Sequence, residues 1–245
     1  MTTRPIKQVD RHRNCYRQIG MMAKYWTPGL AKTRLARGSS DVAAALIHRQ
    51  FTLHLGEQLS LAGDFRYVFT APDDACEKMQ AALGSHWIAV PQGQGDLGIR
   101  MQRAFQFLHT AADQSGQTQA ILIGADLPTL TCGDMDAVFA SLLQNDVVLG
   151  PAADGGYYLI GLRGPWRSDY ERLFESIPWS TGDVFSQTMQ IIGKLGLTCG
   201  HLGVREDVDT VECLHRLQLS DEIDQPLKDS IRSILDQAMN PSRPL

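Results

Sequence analysis

Residues 119–131 read QAILIGADLPTLT, an apolar run that ends in a glycine, an acidic residue and a Leu-Pro pair. A short, nearly continuous apolar run bounded by such breakers fits a buried strand of a parallel sheet. Leu127-Pro128 ends the strand and leaves Asp126 directly after it, at its carboxyl end. Ligands of open α/β sheets bind at those ends, so the carboxylate stands where chemistry is expected.

The neighbouring sequence repeats the theme. Short apolar runs at 66–71, 86–90, 146–150 and 157–162 alternate with helical patterns, the signature of βαβ units and a mostly parallel sheet. Leu97, Met101, Ala104, Phe105 and Leu108 keep a 3.6-residue stripe, as do Met135, Val138, Phe139, Leu142 and Leu143. Further helices are predicted over 41–59 and after a cap at Ser180 or Thr181, with Val184, Phe185, Thr188, Ile191 and Leu195 on the inner face. A first strand is expected in CYRQIGMM, although Arg17 and Gln18 stand where a central strand should be apolar.

The expected organisation is a flexible basic tail over 1–14, one domain over 15–222, and a C-terminal helix and tail over 223–245. Arg4, Lys7, Arg11 and Arg13 leave two readings of the tail open, a solvated segment or a phosphate-binding arm. The chain has 245 residues, 43% hydrophobic and 20% charged, with a net charge of −4, which argues against nucleic acid as a partner. Five scattered cysteines without a C-x-x-C pair indicate neither a zinc site nor a disulfide framework, and a reducing cytoplasm is expected. No run approaches the roughly 20 apolar residues that span a bilayer, so no membrane partner is expected.

Four stretches carry candidate chemistry. QGQGDLG places Gly93, Gly95 and Gly98 in G-x-G-x-x-G spacing, but Pro91-Gln92 intervene after the strand and no acidic residue follows at the distance a dinucleotide fold requires. Lys24, Lys32 and Arg34 bracket a Pro28-Gly29 turn and can converge on one polyphosphate, or lie solvated. In EDVDT, Asp207 and Asp209 point the same way if the segment is extended, with Val208 turned inward. Together with Asp126 they form the kind of hard oxygen set that Mg²⁺ prefers, while helix capping is the other reading of Asp209.

The fourth stretch, GPAADGGYYLIGL, holds Asp154, Gly155, Gly156, Tyr157 and Tyr158. It reads either as a ligand-facing turn, with Gly156 at positive φ and Asp154 accepting from a substrate hydroxyl, or as a bulge that bends the sheet. None of the seven histidines lies in a metal-binding spacing or beside a nucleophile motif, and all are expected to be surface or packing residues.

PGLAKTRLA, QGQGDLGIRM, IGADLPTLT, GPAADGGYYLIGL, IPWST and DVDT, in that order, resemble the nucleotide-diphospho-sugar transferase superfamily. The closest resemblance is to a bacterial glycosyltransferase-like group related to 2-phospho-lactate guanylyltransferase and molybdenum-cofactor guanylyltransferase. The resemblance implies a three-layer αβα sandwich with a Rossmann-like sheet and a nucleotide over the carboxyl ends of the strands. It implies Mg²⁺ (or Mn²⁺) on Asp126 and Asp209, with Asp207 beside them. On the residues' own reading, nucleotide contacts are expected from Lys24, Gly29, Gly95, Asp96, Gly155, Gly156 and Tyr157, and catalytic roles from Asp154, Lys32 and Arg34. Trp26, Val211 and Cys213 depart from the group's pattern.

The implied partners are a nucleotide or nucleotide sugar and a small-molecule acceptor, and a homo-oligomer is left open. Transfer of a glycosyl group is favoured slightly over transfer of a nucleotidyl group, and a non-catalytic nucleotide-binding module is the third reading.

Overall fold

A computed structural model of the chain describes residues 15–111 and 117–239. The basic segment 1–14 and residues 240–245 lie outside the described residues. In chain order the strands are β1 (Cys15–Lys24), β2 (Phe65–Ala71), β3 (Ile88–Pro91), β4 (Gln117–Gly124), β5 (Val147–Pro151), β6 (Tyr157–Arg163) and β7 (Cys199–His201). The helices are α1 (Thr33–Arg37), α2 (Asp41–Gln58), α3 (Cys76–Leu83), α4 (Leu97–Ala111), α5 (Cys132–Ser141), α6 (Val184–Lys194), α7 (Val211–Leu219) and α8 (Gln225–Met239).

The strands form one seven-stranded sheet in the order β3-β2-β1-β4-β6-β5-β7. Only β6 runs antiparallel to its neighbours, so the sheet is mostly parallel as expected. Alternation along β4 divides the interior into two layers. Ile121 and Ile123 pack with Leu55, Leu59 and Phe139 on one face, whereas Ala120 and Leu122 pack with Met101, Phe105 and Leu108 on the other. This is the αβα sandwich, and each fully buried aliphatic side chain contributes about 1.5–3 kcal/mol to it.

The polar first strand is central after all. Arg17 faces outward and lays its guanidinium 5.2 Å from the centre of the Phe139 ring, so its stem covers apolar surface while its charge stays wet. Gln18 is fully buried, and neither end of its amide has a hydrogen-bond partner among the described residues. Ile19, Met21 and Ala23 supply the apolar part of the strand.

Three local expectations are corrected. The strand expected at 86–90 begins only at Ile88, because residues 84–86 form a 3₁₀ turn that buries Trp87. Leu143 lies beyond the end of α5 and is 65% exposed, so the helical stripe stops at Leu142. Neither Ser180 nor Thr181 caps α6; its N-cap is Asp183, and the Thr181 hydroxyl bridges the preceding loop by donating to the Pro178 carbonyl and accepting from the Asp183 N–H. Ser40 caps α2 by accepting from the Ala43 N–H, and α7 is capped by Thr210, which accepts from the Cys213 N–H, so the capping reading of Asp209 does not hold.

Helix α8 lays Leu227 and Ile231 against Ile47 and Phe51 of α2, closing a third apolar cluster that also holds Leu35, Val208 and Leu214. That cluster seats the segments before and after Asp209. Among the described residues no helix is long and apolar enough to cross a membrane.

Candidate active site

From β1 the sheet grows toward β2 and β3 on one side and toward β4 on the other. A crevice opens over the carboxyl ends of strands at such a reversal. Here it is a cleft of about 830 Å³, walled by the end of β1 (Lys24), the segment 31–34, the loop 95–97, the end of β4 with Asp126, the 154–157 turn, the 179–182 loop and Asp207 with Asp209.

Three loops meet at Lys32. Its ammonium lies 2.7 Å from Asp126 Oδ1 and 3.1 Å from Asp209 Oδ1, and donates to the Val208 carbonyl at 2.6 Å. The Lys32 side chain is 2% exposed, so burial works against its charge, but the Asp126 and Asp209 carboxylates outweigh burial and hold its pKa above the ordinary lysine value. Burial likewise opposes the Asp126 charge, yet Lys32 and His48 keep that carboxyl below the usual range. For Asp207 the offset falls short. Burial and the nearby charges of Asp126, Asp209 and Asp154 push it up to about 7, against the opposing pull of Lys32.

Val208 is buried and its N–H donates to the Asp126 carbonyl, while the Asp209 N–H donates to the Asp207 carbonyl in a tight turn rather than an extended strand, and Asp207 and Asp209 both line the cleft. Arg205 fixes the approach to this segment. Its guanidinium pairs with both oxygens of Asp134, at 2.6 Å and 3.3 Å, and lies over the Tyr158 ring, while its backbone bonds Pro151 and Ala153. The Asp126, Asp154 and Asp207 loops are thereby braced by one residue.

The glycine loop is braced by side chains too. Gln92 donates to the carbonyls of Ala23 and Phe69, Arg103 to those of Gln92 and Gln94, and Arg100 to that of Gly95. Asp96 Oδ1 accepts the Ile99 N–H at the start of α4, and Gly98 packs against Phe174 and Trp179. Gln92 and Arg100 line the cleft, although nothing in their spacing marked them.

Of the residues singled out from sequence, Lys24, Lys32, Arg34, Gly95, Asp96, Asp126, Asp154, Gly156, Tyr157, Asp207 and Asp209 line this one cleft. Gly29 and Gly155 do not. Lys24 and Arg34 remain exposed to it, Arg34 also lying 3.6 Å from Asp209 Oδ2, whereas Lys32 is buried against the carboxylates, which its sequence position did not reveal.

In the 154–157 turn, positive φ belongs to Gly155 (89°) and not to Gly156, which corrects the expectation. A Cβ on Gly155 would collide with the backbone of Gly182, so this glycine serves the close approach of two chain segments. The Gly156 N–H is taken by Asp154 Oδ1 at 3.0 Å and is not free for a ligand. A register shift between Gly150 and Pro151 shows that the sheet also bends here. Tyr157 contacts the Trp179 ring edge-on, and Tyr158 is buried with its hydroxyl donating to the Gly203 carbonyl.

His48 overturns the expectation that every histidine is surface or packing. It is 5% exposed, its Nε2 bonds the Lys24 carbonyl at 3.0 Å, and its Nδ1 lies 3.5 Å from Asp126 Oδ1. The available signal was a polar ring on the stripe of α2 that also carries Ala44, Phe51 and Leu55.

Among the described residues no three His, Cys, Asp or Glu side chains already converge as a metal site. The donor chemistry nonetheless suits a hard divalent cation. Burial and three neighbouring carboxylates make the Asp207 charge costly, and the Asp126 side chain is 43% exposed to the cleft.

Residues 48–181 match the family described as an uncharacterized protein conserved in bacteria, DUF2064. The chain belongs to this family. A crystal structure from Desulfovibrio desulfuricans G20, described as a nucleotide-diphospho-sugar transferase, superposes on this DUF2064 chain with a TM-score of 0.78 at 30% identity, covering 91% of this chain and 97% of that one. The resemblance seen in the six motifs is thus borne out.

A 3-phospho-D-glycerate guanylyltransferase from Phenylobacterium zucineum (strain HLK1) is 33% identical over 138 residues, which are 54% of this chain and 61% of that enzyme's length. A cytidylyltransferase from Leptospira borgpetersenii shares the fold, with a TM-score of 0.52 at 15% identity over 93% of this chain and 95% of its own.

Proposed function

We propose that the chain is a metal-dependent nucleotidyltransferase, which joins a nucleoside triphosphate to a phosphorylated or hydroxylated small molecule. The observation that carries this reading is the meeting, in one cleft, of Asp126, Asp207 and Asp209 with the basic segment Lys24, Lys32 and Arg34. Similarity to a guanylyltransferase supports nucleotidyl over glycosyl transfer and favours GTP among the triphosphates.

Asp126, Asp207 and Asp209 would hold Mg²⁺ or Mn²⁺. When bound there, the ion supplies charge neutralisation for the phosphates and polarises the one under attack. The chain does the rest. Lys24 and Arg34 face the cleft and offset the outer phosphates, while Lys32 keeps Asp126 and Asp209 in place. Gly95, Asp96 and Tyr157 contact the nucleotide, and the fixed donors act in a partly dehydrated cleft where they are worth more than in water. The acceptor oxygen attacks the α-phosphorus, the bond to the bridging oxygen breaks, and pyrophosphate leaves.

Glycosyl transfer is kept as a second reading because Asp154 stands exposed in the same cleft, where it can take a proton from an acceptor hydroxyl. A thermal-shift panel of the four nucleoside triphosphates and several nucleotide sugars, each with Mg²⁺ or with EDTA, separates the readings. A ligand at about 100 times its Kd stabilises by about 2.7 kcal/mol, an easily seen shift. GTP stabilisation with Mg²⁺, followed by pyrophosphate release on adding phosphorylated hydroxy acids, is expected. Stabilisation by nucleotide sugars alone would favour glycosyl transfer, and binding without any product would leave a nucleotide-binding module.

A further inference from the structure

We propose that Arg100 is the residue that selects the nucleobase, by donating to the O6 and N7 acceptors of guanine, an inference that rests on the nucleotidyltransferase reading above. Its guanidinium lines a cleft that also holds Asp96, Asp126, Asp154, Asp207 and Asp209, yet among the described residues it forms no ion pair. Its bonds go to neutral groups instead. Nε donates to the Gly95 carbonyl at 2.9 Å, and Nη1 reaches Gln92 Oε1 at 3.4 Å. These two bonds leave both hydrogens of Nη2 unused among the described residues. The residue also stands near the amino end of α4, where the helix dipole disfavours a cation, so helix stability does not account for an arginine here.

The fork is held from behind. Gln92 is 6% exposed and donates both amide hydrogens to carbonyls of the sheet, Ala23 at 3.2 Å and Phe69 at 2.8 Å, which turns its Oε1 toward Arg100. Beside the guanidinium the cleft is apolar. Leu97 lies one turn earlier on the same face of α4 and is 43% exposed, Met101 follows Arg100, and Met22 comes from the end of β1. Met22 pairs in register with Gly124 of β4, and a Cβ on Gly124 would meet only the Asp126 main-chain nitrogen, at 4.0 Å. The strand ends therefore leave open space between apolar walls, with one planar donor fork beside it, which suits a flat ring that carries acceptors on its edge.

Guanine is such a ring. Its O6 and N7 accept side by side and match a guanidinium bidentately, whereas adenine turns its N6–H donor toward the fork in place of O6. A phosphate is the other natural partner of a free guanidinium, but the exposed Lys24 and Arg34 are placed for phosphates on the basic segment, and an apolar surround favours a ring over an ion. The test compares GTP, 7-deaza-GTP, which lacks only the N7 acceptor, and ATP. Their dissociation constants are measured by isothermal titration calorimetry with Mg²⁺ on the full-length wild type and on Arg100→Met, which removes the fork and keeps a long side chain, with melting temperatures recorded in parallel.

The expected result is that the wild type binds ATP and 7-deaza-GTP each about tenfold or more weakly than GTP, and that in Arg100→Met the GTP affinity falls to the level of the other two. ATP or 7-deaza-GTP bound as tightly as GTP by the wild type would overturn the proposal whether or not the variant folds. So would an unchanged preference for GTP in folded Arg100→Met. Equal fold losses of GTP and ATP in the variant would overturn it as well, by placing the guanidinium on a phosphate. A wild type that binds no nucleotide would overturn the nucleotidyltransferase reading itself, and this inference with it.

Discussion

Asp207→Asn should make the metal-free protein more stable at pH 8, although it removes a residue from the cleft. The wild-type carboxyl is pushed up to about 7 from an ordinary 3.8, first by burial and then by the charges of Asp126, Asp209 and Asp154. A carboxyl whose folded pKa exceeds its unfolded one binds its proton more tightly in the folded state. Its contribution favours folding below the unfolded pKa, and that advantage is lost as pH rises through 4 toward 7. At about 1.36 kcal/mol per unit, a rise of roughly three units caps the effect at about 4 kcal/mol. Water reaching the cleft screens the neighbouring charges, so about 2 kcal/mol is a fair expectation, or about 4–8 °C in Tm for a chain of this size. The amide has nearly the same shape and carries no charge, so it escapes the penalty at every pH. Calorimetry in EDTA at pH 3.5 and pH 8 should show the variant close to wild type at pH 3.5, where the carboxyl is mostly protonated in both states, and several degrees above it at pH 8. A variant that melts at or below the wild type at pH 8 would refute the claim that the carboxylate cluster is a stability cost.

Other outcomes follow from the same geometry. Asp126→Asn and Asp209→Asn should fold and bind nucleotide yet turn over about 100-fold more slowly, as a loss of roughly 3 kcal/mol of transition-state stabilisation implies; normal steady-state rates in both would dismiss the site. At the far end of the sheet, Asp146 is held at about 2, against its own burial, by Thr198, Arg163 and Arg167. Its folded pKa lies below the unfolded one, so this stability is present above pH 4 and is lost as pH falls toward 2. Asp146→Ala should lower Tm at pH 7, with the gap to wild type closing in melts taken toward pH 2. Gly155→Val should lower Tm by several degrees because of its positive φ and the collision with Gly182, whereas Gly156→Ala should melt near wild type; the reverse order in parallel scans would contradict the turn geometry.

The strands and the acidic residues were legible because their signals are local. An apolar run followed by Asp126 reads as the end of a strand, and the single inward Val208 sends Asp207 and Asp209 to the other side. What stayed hidden depends on partners far along the chain. Lys32 and Asp209 are 177 residues apart, so no spacing could tell a phosphate ligand from a counter-ion to carboxylates. His48 reaches Lys24 from 24 residues away, and its position on a buried stripe reads equally well as packing. Gly155 and Gly156 tolerate the same backbone angles, so only the folded turn, with its positive φ at Gly155 and Gly182 against it, decides which of them must be glycine. In β1, Arg17 and Gln18 break the apolar pattern at the amino end of the strand, where an arginine stem can still reach solvent.

These hidden contacts also explain why the site costs stability and yet holds together. Lys32 adopts φ 52° and ψ 45°, a left-handed conformation that costs a non-glycine residue roughly 1–2 kcal/mol. Glycine would avoid that strain but would leave Asp126 and Asp209 facing each other with no cation between them. A lysine at this position offsets its backbone strain through three contacts: Asp126, Asp209 and the Val208 carbonyl. One contact comes from the segment after β4 and two from the segment before α7, so the charge that neutralises the cluster also gathers both against the segment after β1. The apolar core reaches the bases of these loops at Leu35, Leu127 and Val208. Above that level, the contacts that join the loops are electrostatic, the Lys32 ammonium against the Asp126 and Asp209 carboxylates.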